Sequence, residues 1–217
     1  MVKAVPEEEL FDIFDKEYNK IGIMPRREVH AKGHWHATFQ CWIVSNKGHE
    51  GRISLLFQMR HPRKDTFPGL LDISCAGHLQ AGETVREGQR ELYEELGVNV
   101  SFEELHDCGV YAEEHPIAGG GMDREFCHLF IYKCDKPLEA YVMQAEEVTG
   151  IYWIDLKEFK EMMAEQRTSV QAAGIRVDSA GCIEEHTFAA EFTDFTPHGI
   201  GYYERLYTHV DNVFKNL

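Results

Sequence analysis

Apolar and acidic positions alternate over Leu10 to Asp15 (L-F-D-I-F-D), a period of two that predicts an edge strand. Lys16 to Lys20 make the turn, Ile21 to Met24 the return strand, and Pro25 ends it before a short helical turn over Arg26 to Val29. Thr38 to Val44 and Ile53 to Met59 are continuous apolar runs and read as buried strands, joined by a turn over Asn46 to Gly51. Further strands are expected over Gly109 to Glu113, Arg124 to Tyr132 and Glu147 to Ile154. His115 to Met122, with three glycines in a row, reads as a lid or surface connector. No helix with Lys-Ser/Thr follows it, as a phosphate loop would need.

Helical spacing appears in three other places. Thr84 and Glu87 make a capping box, and Val85, Leu92 and Leu96 then fall on one stripe. Leu156 to Glu165 is an amphipathic helix. Gly201 to Leu217 is another, with Tyr202, Leu206, His209, Val210 and Val213 near one stripe. Between them the pattern is ambiguous, and a short helix over Val170 to Ala173 is the expectation. The sum is a mixed sheet with helices on its faces. No repeat or low-complexity linker divides the 217 residues, so the expectation is a single domain over 1–217. Its core would cover about 8–160, with a C-terminal helical extension over about 161–217.

Charge narrows the partners. With 37 acidic against 22 basic residues the formal charge is −15, which argues against nucleic acid and anionic membrane surfaces. No apolar run approaches a membrane span, and the N-terminal M-V-K-A-V-P-E-E-E-L lacks the apolar core of a signal peptide. Six scattered cysteines contain no C-x-x-C pair, so reduced thiols in a cytoplasmic protein are expected. A homodimer is expected on base rate alone.

The chemistry concentrates on the face opposite the apolar stripe of the 84–97 helix. Glu91, Glu94 and Glu95 lie at i, i+3 and i+4, where like charges repel by about 0.2–0.5 kcal/mol per pair. They also sit near the helix C-terminus, where the macrodipole disfavours anions. A solvated acidic face is the ordinary explanation of such a run. The alternative is that the three carboxylates hold a hard cation such as Mg²⁺ or Mn²⁺.

The flanking residues favour the alternative. G-H-L-Q-A-G-E followed by R-E-L-Y-E-E-L-G-V resembles the Nudix box, with matches at Gly77, Glu83, Arg90, Glu91, Leu92, Glu94, Glu95, Gly97 and Val98. One departure bears on the position of Glu83: six residues rather than seven separate it from Arg90. The resemblance implies a Nudix-type α/β/α sandwich, in the α/β (α+β) class, that hydrolyses phosphoanhydride bonds with Mg²⁺ or Mn²⁺. It implies Glu91 and Glu95 as metal ligands, Glu94 as a further ligand or the base, and Arg90 as the group that orients the glutamates. The Gly77 carbonyl and Glu125 would complete the set.

A narrower resemblance overlaps this one. E-V-H-A-K-G-H-W-H-A-T-F, R-K-D-T-F-P-G-L-L-D-I-S and the A-G-H that opens the box resemble isopentenyl-diphosphate isomerase, itself of Nudix fold. That family's metal ligands fall here on His30, His36, His78, Asp123 and Glu125, and its diphosphate-binding basic loop on Arg60, Arg63 and Lys64. The isomerase's cysteine directly before the Gly-His of the box is replaced by Ala76, with Cys75 one residue earlier. The full Arg-Glu-x-x-Glu-Glu set, which the isomerases generally lack, is present. The expected function is therefore a metal-dependent pyrophosphohydrolase of the isomerase-like subgroup. Its substrate would be a nucleoside diphosphate derivative or another organic diphosphate. The alternatives are the isomerase itself and a non-catalytic protein that binds a diphosphate ligand.

Overall fold

A computed structural model describes residues 8–49, 51–117, 120–178 and 180–215. In chain order the elements begin with β1 (Leu10–Phe14), β2 (Lys20–Pro25), α1 (Arg26–Lys32), β3 (Trp35–His49), β4 (Arg52–Arg60), β5 (Leu71–Asp72) and β6 (Cys75–His78). There follow α2 (Arg90–Leu96), β7 (His106–Pro116), β8 (Met122–Lys133), β9 (Val148–Asp155), α3 (Leu156–Met163), β10 (Ser169–Val177), β11 (Ile183–Glu191) and α4 (Ile200–Lys215).

The long apolar strand β3 is the hub. It pairs antiparallel with β4 and β6 and parallel with β8, so the sheet is mixed. One path through the sheet runs β11-β10-β9-β4-β3-β1-β2, and β8 carries β7 on its far side. Alternate residues of β3 serve opposite faces, as the pleat requires. Trp42 and Val44 join a core completed by Phe159 and Met162 of α3 and by Tyr202, Leu206 and Val210 of α4. Phe39, Cys41 and Ile43 join the other core, with Leu92 and Leu96 of α2. Helices thus cover both faces, giving the expected α/β/α sandwich.

Three expectations are corrected. The turn over Asn46 to Gly51 is much tighter, because β3 extends to His49 and β4 starts at Arg52; residue 50 lies outside the described residues. The loop over His115 to Met122 is likewise shortened, since β7 runs to Pro116; residues 118 and 119 lie outside the described residues. The helix over Val170 to Ala173 is strand β10, so the C-terminal extension is a hairpin followed by α4. Ala is a good helix former in isolation, but β10 pairs with β11 along its whole length and with β9, and that cross-strand pairing overrides local preference. Among the described residues no helix is long and apolar enough to cross a membrane.

Candidate functional site

The site is a cavity of about 290 Å³ to which β6, α2, β8, the 61–70 loop and the segment before α4 all contribute. Its acidic side begins with the turn into α2. Thr84 and Glu87 form the expected capping box, in which the backbone and hydroxyl of Thr84 both donate to Glu87 Oε2 at 2.8 Å. The helix ends at Gly97, whose left-handed φ of 63° suits glycine. One shared face then carries Glu91 and Glu95 inward beside the apolar Leu92 and Leu96, and both carboxylates line the cavity.

Gly77 faces this helix so closely that a Cβ built on it would lie 2.1 Å from the Glu91 carboxyl carbon. Only glycine lets that carboxylate lie against the β6 backbone. Burial pushes Glu91 up to about 7 and Glu95 up to about 8, the latter also raised by Glu91. Glu95 accepts long bonds from Gln58 and the Ala76 backbone at 3.4 Å each, and the Cys75 thiol bonds it as well. Burial thus disfavours the charged form of both carboxylates, and a cation held between them would favour it.

Arg90 ties the cluster together. It bonds Glu83 Oε1 at 2.7 Å, Glu91 Oε1 at 2.7 Å and Glu94 Oε2 at 2.9 Å. The shortened spacing therefore still delivers Glu83 to Arg90. Glu94 lines the cavity but its side chain is 48% exposed, which sets it apart from its two buried neighbours.

The histidine set converges as well. Ligand atoms of His30, His36, His78 and Asp123 all lie within 4.8 Å of one another. His36 Nε2 is 3.4 Å and His30 Nε2 3.6 Å from Asp123 Oδ1, and His78 Nε2 is 3.6 Å from Glu125 Oε1. Phe11 stacks on the rings of both His36 and His78 and fixes their planes. Four buried atoms here, the three Nε2 and Asp123 Oδ1, have no hydrogen-bond partner among the described residues. Burial lowers all three imidazoles, His36 to about 4, and so keeps them in the neutral form a metal ion takes. Burial, Asp123 and Glu113 push Glu125 up to about 8. Neutral imidazoles and carboxylates aimed at one point fit a divalent cation.

The basic loop divides. Arg60 lines the cavity, but its guanidinium is committed to Asp72 Oδ2 at 2.7 Å and the Thr66 carbonyl at 2.9 Å. Lys64 lines the cavity paired with Glu147. Arg63 is exposed and is not among the residues that line it. Of the aromatic residues, Phe67 borders the cavity, whereas Trp35 packs on Phe126 and Tyr111 on Tyr202. Cys75 is fully buried in the α2 core, while Ala76 faces the cavity.

Sequence reasoning missed a wall of the site. His198, just before α4, sits between two carboxylates: Nδ1 is 2.8 Å from Glu113 Oε2 and Nε2 is 3.4 Å from Asp72 Oδ1. Thr196 donates to Asp72 at 2.8 Å and the Gly199 amide to Glu113 at 2.8 Å. Burial alone would lower His198, but bonds to Asp72 and Glu113 raise it to about 9. Against burial, His115 and His198 hold Glu113 down to about 2, and Arg60 and His198 hold Asp72 well below the usual carboxylate range. Glu113 is the cross-strand partner of Glu125, so this network abuts the histidine set directly.

Comparison with known proteins gives the family. The NUDIX domain family model matches residues 34–173. An uncharacterized Nudix hydrolase of Clostridium acetobutylicum is 42% identical over 91% of this chain and 95% of its own length. Nudix hydrolase 3 of Arabidopsis thaliana is 35% identical over 73% of this chain but only 21% of that protein. An isopentenyl-diphosphate Delta-isomerase of Serratia proteamaculans is 30% identical over 71% of this chain and 80% of its own. The crystal structure of DR0079 from Deinococcus radiodurans covers 72% of this chain and 90% of that one, with a TM-score of 0.52 at 20% identity, a likeness of fold. This chain belongs to the Nudix family, and its relatives include both hydrolases and isomerases.

Proposed function

We propose that this protein is a pyrophosphohydrolase that uses Mg²⁺ or Mn²⁺ to cleave an organic diphosphate. The observation that carries the reading is the pair Glu91 and Glu95 lining one cavity, Glu95 buried and the partly buried Glu91 held against Gly77 and paired with Arg90. Glu91, Glu95 and the Gly77 carbonyl would hold the metal, with Glu125 from the opposite wall. Such a cation supplies charge neutralisation on the phosphates and a more acidic water. Glu94, the most exposed of the three glutamates and oriented by Arg90 at 2.9 Å, would take a proton from water. Arg90 orients Glu91 and Glu94. Lys64 supplies positive charge toward the diphosphate, and Arg60 holds the 61–70 loop in place. At about 290 Å³ the cavity is at the small end for ligand sites, which favours a compact diphosphate.

The test is a panel of nucleoside triphosphates, nucleotide sugars, dinucleotides, thiamine diphosphate and isopentenyl diphosphate with Mg²⁺ or Mn²⁺. Phosphate release and proton NMR are both read. Cleavage of one member, absent in Glu95→Gln, is expected; cleavage that survives in Glu95→Gln overturns the assignment of the metal ligands.

The isomerase is the second reading, favoured by the converging His30, His36, His78 and Asp123. Ala76 at the cavity wall and the buried Cys75 weigh against it, since among the described residues no thiol lines the cavity to move a proton on carbon. Deuterium entering the isoprenoid chain from solvent would establish it.

A further inference from the structure

A second group of metal-ligating side chains lies away from the cavity, where β7 meets α4. His106 and Cys108 come from β7 and His209 from the middle of α4, and their ligand atoms lie within 4.8 Å of one another. The strand is irregular there: its register with β8 shifts between Asp107 and Val110, and Gly109 has a φ of 79°. Such a bulge re-aims side chains. Here it keeps the Cys108 thiol inside, 2% exposed, beside the partly buried His106. Arg205, one helical turn before His209, fixes the bulge by donating to the Cys108 carbonyl at 2.9 Å.

His106 Nε2 and His209 Nδ1 are 3.0 Å apart. Only one of the two can donate, so the pair requires at least one neutral ring. A tetrahedral Zn²⁺ with two bonds of about 2.0–2.1 Å to imidazole nitrogens separates them by about 3.3 Å. The nitrogens are therefore already near ligand spacing, and the Cys108 thiol, which donates to the His106 carbonyl at 3.6 Å, lies within 4.8 Å of both. The nearest charges are Arg205, engaged with a carbonyl, and Asp107, exposed and accepting from the Gly109 amide at 2.7 Å. Asp107 offsets the guanidinium beside the site.

We propose that His106, Cys108 and His209 form a second cation site, of the Cys-His-His type that takes Zn²⁺, with water in the fourth position. Binding replaces the thiol proton, which is released to solvent, by a metal–sulfur bond. The site ties α4 to β7 and so fixes both sides of the wall on which Glu113 and His198 meet. It does not depend on the catalytic reading.

Purified full-length protein, stripped with a chelator, is titrated with Co²⁺ and read for the near-ultraviolet sulfur-to-cobalt charge-transfer band. Zn²⁺ is then added in competition. Expected is one equivalent of Co²⁺ giving that band in the wild type, displaced by Zn²⁺. The affinity should fall at least 100-fold in both Cys108→Ser and His209→Gln. Cys127→Ala, which removes the buried thiol 3.5 Å from Glu125 Oε2, and His78→Gln, in the cavity cluster, keep the band. No band in the wild type overturns the proposal. So does a band that persists in Cys108→Ser or disappears in Cys127→Ala. Should Cys108→Ser fail to fold, His209→Gln, a half-buried helix position, carries the same decision.

Discussion

The Glu91 carboxylate occupies the space that a side chain at position 77 would need, 2.1 Å from where the Cβ would stand. Gly77 is therefore a requirement of the acidic cluster and not only a turn residue. Gly77→Ala is expected to displace Glu91 while leaving the two cores, which contain neither residue, intact. A displacement of about 1 Å at a reacting centre can cost about 100-fold in rate. Hydrolysis and Mn²⁺ affinity should both drop by at least about that factor, with the circular dichroism of the wild type preserved.

Glu95 carries the opposite liability. Its carboxyl is raised from 4.5 to about 8, so the charged form is disfavoured by folding. This carboxyl ionises near 4.5 in the unfolded chain and near 8 in the folded one. Stability of the metal-free protein therefore falls as pH rises between those values. Glu95→Gln removes that loss. With chelator at pH 8.5, the variant should melt higher than the wild type by at least about 2–4 °C, the shift expected per kcal/mol for a chain of this size. At pH 5 the difference should vanish. A variant less stable at pH 8.5 would mean that Glu95 is satisfied without a cation.

How far the sequence carried can be read from particular residues. The α2 segment was legible because its signals are local, within the fourteen residues Thr84 to Gly97, but the helix is shorter than expected: the capping box closes the turn before it, and α2 starts only at Arg90 with no side-chain cap. Asp123 and Glu125 entered through the isomerase resemblance, and because β8 starts at Met122 rather than Arg124 their spacing of two puts both on one strand face. His198 was not, because it belongs to no pattern of its own. It meets Asp72 and Glu113 only after the chain returns across the sheet, 126 and 85 residues away in sequence. Strand β10 was misread through its alanines, although buried Val170 and Ala172 flank exposed Gln171 in strand alternation. Its partners β9 and β11 supply the decisive interactions, and those are not local.

The His198 network should be visible in a stability profile. Its imidazole is raised from 6.5 to about 9, so its contribution is complete below 6.5 and is lost as pH rises through about 9. Glu113, lowered from 4.5 to about 2, contributes above 4.5 and loses that contribution as pH falls through about 2. His198→Ala removes the cation that Asp72 and Glu113 share, leaving Asp72 to Arg60 and Glu113 to the Gly199 amide, and breaking a buried ion pair costs about 3–5 kcal/mol. The variant should be destabilised by that order at pH 6 and much less at pH 10, measured by urea unfolding. An equal loss at both pH values would mean that the ring acts through packing on Tyr202, which it stacks against at 4.3 Å.

Lys64 and Arg63 are adjacent cations that the structure separates. Lys64 reaches the cavity and is balanced by Glu147, whereas Arg63 is exposed on the outside of the loop. If Lys64 meets the diphosphate, its loss weakens ground-state and transition-state binding alike, so KM rises while kcat changes little. Lys64→Ala should raise KM by about 10-fold, equivalent to about 1.4 kcal/mol. Arg63→Ala should leave KM within about twofold, because an exposed charge outside the cavity is screened over about 8 Å at physiological ionic strength. Equal effects of the two substitutions would show that the loop's charge acts at long range, and raising the salt concentration would then abolish both.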